Sequence, residues 1–218
     1  MTNRREVTTS TQEEFFKRMG GSIPNHPKID RSIISPEELK LFDKYFSTLC
    51  TDLTIYKQLF SIEESIEVLN SFSSIIFGRI QSTYIERICL KIACLLDPAE
   101  SGRNGINKNL TLKRFASQCN SAELNTLIKN LDALYNSTGI KTWRNKVLAH
   151  SDLKTAMGEF DFDLKFTLED LENIIQCIQE IVDLIVGPNV TTDTEVVLPY
   201  GNDVGSFIAK LKKCNNVV

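Results

Sequence analysis

From Leu69 onward, apolar side chains return at steps of three and four through Phe72, Ile76, Ile80, Tyr84, Ile88, Ile92 and Leu95. That period marks one face of an α-helix. A capping box at Ser61-Ile62-Glu63-Glu64 can open it, and Asp97-Pro98 must close it, because proline drives the preceding residue out of the helical region. The sequence therefore predicts one long amphipathic helix, and its partners read as helices too. Ser35-Pro36-Glu37-Glu38 combines a cap, a proline suited to the first turn and two carboxylates at the positive end of the dipole, and starts a helix reaching about Phe60. Shorter helices are expected after Thr111 and after Ser121, the latter burying Leu124, Leu127, Ile128, Leu131 and Leu134. Gly139 resets the chain before a helical segment from Ile140 to His150. Thr167-Leu168-Glu169-Asp170 then opens a helix with Leu171, Ile174, Ile175, Ile178, Ile181, Val182 and Ile185 on one side, stopped by Gly187-Pro188. The fold class expected is all-α, helix packed on helix in an antiparallel bundle.

With 218 residues, 42% hydrophobic and 24% charged, the chain suits one globular domain with extensions. Residues 1–34 are polar and read as an arm, residues 35–187 as the domain, and residues 188–218 as an extension packing on it. Within the extension, 195–198 is an extended candidate and 203–213 a short helix. Glu100 to Asn109 holds two Gly and three Asn and reads as a flexible loop; the alternation from Asp161 to Phe166 is too brief to predict a sheet. No apolar run has signal-peptide or membrane-spanning length, so a cytoplasmic location without membrane contact is the expectation.

Several chemistries lose their support at this stage. The six cysteines are scattered with no Cys-x-x-Cys pair and read as reduced core thiols. The two histidines, His26 and His150, lie at no metal-ligand spacing, so neither a metal nor another cofactor is expected. No Gly-rich phosphate loop or nucleophile elbow appears. A net charge of −3 argues against a broad nucleic-acid footprint, so any RNA contact must be local.

The informative window is Trp143-Arg144-Asn145-Lys146-Val147-Leu148-Ala149-His150-Ser151-Asp152, with the only tryptophan and the better-placed histidine beside two cations and an amide. At ~100° per residue, Ile140, Trp143 and Val147 form an apolar stripe with His150 nearly in line, while Arg144 and His150 stand ~120° apart. One straight helix cannot aim both at one atom, so either the helix ends early or two chains build the site. Metal-free RNA cleavage needs a proton acceptor for the 2′-hydroxyl, an acid for the leaving oxygen and positive charge at the phosphate. His150 suits the proton transfers and Arg144 the phosphate; Asn145 can orient the substrate and Lys146 adds charge. Arg103, Lys108, Lys113 and Arg114 form a second basic set. The spacing alone equally allows Arg144 and Lys146 to be solvated or paired with some of the 28 carboxylates, His150 to be a helix-end residue bonded to a backbone carbonyl, and the second set to be an ordinary loop surface.

Arg144-Asn145-Lys146-Val147-Leu148-Ala149-His150 resembles the signature of the HEPN superfamily, an arginine and a histidine separated by four to six residues. The arginine-asparagine-lysine and alanine-histidine pattern, with Asp152 after it, is most similar to the abortive-infection branch. Leu95-Leu96-Asp97-Pro98 and Asn109-Leu110-Thr111-Leu112 share that likeness. The resemblance implies a HEPN-like helical bundle that forms a homodimer, with Arg144 and His150 of both chains lining a shared cleft. It further implies metal-independent endoribonuclease activity, with Arg144, His150 and Asn145 as catalytic residues and RNA as substrate, in a toxin or antiphage role. Lys146, Arg103 and Lys108 are the expected substrate-binding cations, and an antitoxin or other regulatory partner is a further expectation. A catalytically silent binding module of the same fold remains the alternative.

Overall fold

A computed structural model describes residues 33–119, 121–148, 166–186 and 196–215. The helix α1, Pro36–Phe60, begins as its cap predicts: the Ser35 hydroxyl accepts from the Glu38 amide at 3.4 Å. α2, Glu63–Leu96, follows after only two residues. Ser61 does not cap it. The Ser61 amide instead donates to the Lys57 carbonyl and closes α1, leaving Ile62 at the cap position of α2 with no side-chain hydrogen bond.

Nor is α2 one continuous helix. Ser73 takes an extended conformation (φ −169°, ψ 103°) and its hydroxyl accepts from the Ile76 amide at 3.3 Å, which is the geometry of a helix cap. Two helical pieces, 63–72 and 74–96, result. The longer piece runs antiparallel to α1, as its pairings require: Asp52 meets Arg87 and Lys91 at 2.7 and 2.6 Å, while Tyr56, further along α1, faces Ile85 across a shared cleft.

After α2 the chain does not remain an irregular loop. Glu100–Ser101 (β1) and Asn107–Lys108 (β2) pair antiparallel around a single 3-10 turn at Arg103–Gly105. Gly105 has φ +67°, and a Cβ there would come within 3.3 Å of the Glu100 carboxyl carbon, so both its backbone and its surroundings require glycine. This ladder of two residues per strand is the one sheet among the described residues.

α3 (Leu112–Cys119) and α4 (Ala122–Ser137) follow, the latter capped by Ser121 as expected. Then come α5 (Ile140–Trp143), a π-helical turn at Arg144–Leu148, α6 (Leu168–Val186) and α7 (Val204–Asn215). All seven residues expected on the inner face of α6 are buried and join one core with Phe42, Phe46, Leu49, Ile88, Ile92, Phe115, Leu124 and Leu131. Burying each such side chain contributes about 1.5–3 kcal/mol before entropy is counted. Phe42 and Phe115 meet edge to face at 5.1 Å, tying α1 to α3. Ile34, just ahead of the α1 cap, also lies in this core. α7 sits on a smaller cluster of Leu59, Val68, Leu69, Val204 and Ile208 beside the junction of α1 and α2. Residues 196–199 pair in no ladder, and no described helix is long and apolar enough to cross a membrane.

Candidate functional site

The site begins where α4 stops. Tyr135 is buried, and the buried Thr138 hydroxyl donates to its carbonyl at 2.7 Å and accepts from the Ile140 amide at 3.3 Å. Gly139 adopts φ +74°, a conformation glycine enters without the Cβ penalty, and turns the chain back toward the bundle. Ile140, fully buried, anchors α5. Trp143 is half-buried, 6.3 Å from Phe166 between ring centres, and borders an open cleft of about 340 Å³ with Tyr56, Gln81, Ser82, Ile85 and Glu86. Ile140 and Trp143 therefore hold the apolar stripe predicted for them.

From Arg144 the helix widens into the π-helical turn. The ideal 100° step used to set Arg144 and His150 apart does not hold through 144–148. Single π turns within helices are rare and frequently mark functional sites. Trp143 packs against the core, and the part-buried Arg144 reaches the end of α2. One terminal nitrogen, Nη2, donates to Asp97 Oδ2 at 2.6 Å; the other, Nη1, donates to Asn145 Oδ1 at 2.9 Å. The Arg144 and Asp97 side chains are 27% and 31% exposed, so water screens the pair only in part. Burial pushes the Tyr135 hydroxyl well above its ordinary range, and the Arg144 charge pulls the other way.

Asp97 is held in turn by the segment behind it. The Asn109 side chain donates to the Pro98 carbonyl at 2.9 Å and accepts from the Ser101 hydroxyl at 3.1 Å, while its amide donates to the Ala99 carbonyl at 2.9 Å. The two outlying stretches of the resemblance, Leu95 to Pro98 and Asn109 to Leu112, are thus stitched together, and Asp97 carries them to Arg144.

Of the expected site residues, Arg144 and Asn145 are brought together, and Lys146 is half-buried on the same turn. His150 lies outside the described residues, as do Asp152 and His26. Arg103 is exposed at the tip of the β1–β2 hairpin. Lys108 pairs with Glu100, Lys113 with Asp132 at 2.9 Å, and Arg114 grips both oxygens of Glu38 at 3.2 and 2.7 Å. Three of those four basic residues are thereby matched by carboxylates, as an ordinary surface would have them. Sequence reasoning assigned Asp97 no role at the site. The signal lay in its position, an acid at the C-terminal end of a long helix, where the dipole disfavours negative charge.

Comparison with known proteins agrees with this architecture. No curated protein and no solved structure matches the chain. The sequence model of the HEPN_AbiU2 family, described as AbiU2, matches residues 37–187, which runs from the first turn of α1 to the end of α6 and takes in Asp97, Asn109 and Arg144. The chain belongs to the HEPN superfamily, in its AbiU2 branch.

Proposed function

We propose that this protein is a metal-independent endoribonuclease that works as a homodimer and serves as a toxin or antiphage effector. The observation that carries the reading is the guanidinium of Arg144, fixed beside Asn145 on a π-helical turn within the region that matches the AbiU2 family. Among the described residues two of its five N–H groups are engaged, by Asp97 and Asn145, and a phosphate can accept from the others. His150 takes the proton from the 2′-hydroxyl or gives one to the leaving 5′-oxygen. Attack of the 2′-oxygen on phosphorus breaks the bond to the 5′-oxygen and leaves a 2′,3′-cyclic phosphate and a 5′-hydroxyl. Arg144 neutralises the charge that grows on the phosphoryl oxygens, Asn145 orients the strand, and Lys146 adds positive charge.

Support for a second copy comes from the 74–96 piece of α2. Ile76, Ile80 and Leu90 are exposed on one stripe, with Thr83 and Arg87 between them. Arg79 is the one charged residue from Val68 to Ile85, and depletion of charge is the compositional mark of an interface core. Leu90 stands seven residues before Asp97, ~10 Å along the helix, so copies packed in parallel on this stripe bring their Arg144 turns near each other.

One observation favours the rival reading, a silent module of the same family: the Asp97 carboxylate already neutralises Arg144. Incubating the purified protein with single-stranded RNA in EDTA separates the two. The ribonuclease reading predicts cleavage that falls by about 10²–10⁴-fold in His150→Ala, the range of a general acid or base. Intact RNA, or a His150→Ala protein as active as the parent, rejects it.

A further inference from the structure

We propose that Asp97 is a positioning residue, which fixes the plane and reach of the Arg144 guanidinium and is itself fixed by Asn109. The kinetic part of this inference rests on the ribonuclease reading; the structural part stands without it. A carboxylate at this place is costly to the helix that carries it. Asp97 caps the C-terminal end of α2, where the unsatisfied carbonyls concentrate negative charge, and the last turn of α2 holds no basic residue to offset them. The residue earns its place elsewhere. Its backbone is extended (φ −59°, ψ 160°), as proline at the next position demands, and this swings the carboxylate out of the helix and onto Arg144 Nη2.

Three bonds from Asn109 remove the slack. They engage the carbonyls of Pro98 and Ala99 and the Ser101 hydroxyl, so the two peptide units that follow Asp97 cannot swing freely. Asn109 is tethered by its own continuation into Thr111 and Leu112, both buried. An arginine side chain has large rotamer freedom, and ordering it at the moment of binding weakens the bond it makes. Here that ordering precedes any ligand: among the described residues Asp97 holds one terminal nitrogen and Asn145 the other, which sets the plane of the fork.

The test uses the intact ¹⁵N-labelled protein, with the Arg144 guanidinium signals identified by their loss in Arg144→Lys. Restricted rotation in the parent should give resolved, slowly exchanging Nη signals at low temperature. In Asp97→Ala these should merge; in Asp97→Asn, which keeps an acceptor oxygen and loses the charge, they should broaden; Asn109→Ala should act in the same direction but less. On RNA, Asp97→Ala should lower kcat by about 10²-fold, the loss expected when a catalytic group is displaced by ~1 Å, with KM nearly unchanged and Asp97→Asn between the two. Arg144 signals that stay resolved in Asp97→Ala overturn the proposal, as does cleavage that rises when Asp97 is replaced, which would make Asp97 a brake. Should Asp97→Ala fail to fold, Asp97→Asn and Asn109→Ala decide through the same spectra. A parent protein that leaves RNA intact removes the ribonuclease reading, and the spectra still decide the role of Asp97.

Discussion

Cys50 on α1 and Cys89 on α2 are buried in the main core, and burial pushes both thiols up to about 12 from an ordinary value of 9; Asp43 adds to the effect at Cys50. Because the folded values are raised, these groups favour folding fully below pH 9. As pH climbs from 9 toward 12 the unfolded chain ionises them and the folded chain does not, so stability must fall across that window. Urea midpoints measured at pH 8 and pH 10.5 should show the decline, and a Cys50→Ala, Cys89→Ala double variant, weaker at pH 8 because of its lost volume, should lose less over the same interval. An equal loss in the double variant would assign the slope to other groups. At pH 8 iodoacetamide should label the exposed Cys214 and spare both core thiols. Core thiols are legible from apolar helix faces, which holds at Cys50 and Cys89 but not at the exposed Cys214, and Arg144 stands out in the sequence by its neighbours rather than by its spacing. Its partner does not stand out, since an ion pair between residues 47 positions apart leaves no period to read. The same holds for Glu38 with Arg114, 76 apart, which pairs one member of the second basic set with a carboxylate.

Elements were legible where a cap and a stripe agreed. Ser35, Ser121 and Thr167 each accept from the backbone amide three residues on, and the helices they start lie within a residue or two of expectation. Ser61 offered the same pattern and failed, because only two residues separate α1 from α2 and the serine is consumed in closing α1. The break at Ser73 was hidden by the apolar spacing, which runs through it unbroken from Leu69 to Ile76; the serines at 71, 73 and 74 were the available warning. The β1–β2 hairpin could not be foreseen, as two residues are too few to show alternation. At Thr167 the agreement is tight. Its hydroxyl accepts from the Asp170 amide at 3.2 Å, while Asp170 Oδ2 accepts from the Thr167 amide at 2.7 Å, a reciprocal box at the head of a helix whose inner face is buried throughout. Thr167→Ala should therefore cost about 1 kcal/mol, whereas Ile178→Ala, in mid-helix and fully buried, should cost about 2–5 kcal/mol. Urea unfolding of both variants checks the order; a cap loss equal to the core loss would mean that α6 depends on its first turn more than on its packing.

At the scale of the whole molecule, the bundle buries one face of the 74–96 helix and leaves the other exposed. Ile75 is 80% exposed and Ile76 59%, with Phe72, Ile80 and Leu90 exposed beside them, and Gly78 has nothing within 4 Å of where a Cβ would stand. A glycine in a helix interior costs about 1 kcal/mol relative to alanine, a cost that a close approach by another backbone would offset. If a second copy of the chain covers this stripe, the mass by light scattering or sedimentation should be that of a dimer in the parent and of a monomer in Ile76→Glu, Ile80→Glu. The melting temperature of the double variant should then lose its dependence on protein concentration. Arg144→Ala, which leaves the stripe intact, should remain a dimer. A parent that is monomeric at every concentration defeats the dimer outright. A dimer that survives both glutamates places its interface elsewhere, and a dimer that forms only after removal of residues 1–32 identifies that segment as the occupant of the stripe. Cleavage that persists in the monomeric double variant would mean that one chain completes the site, which the π-helical turn at Arg144–Leu148 allows because it departs from the ideal 100° step.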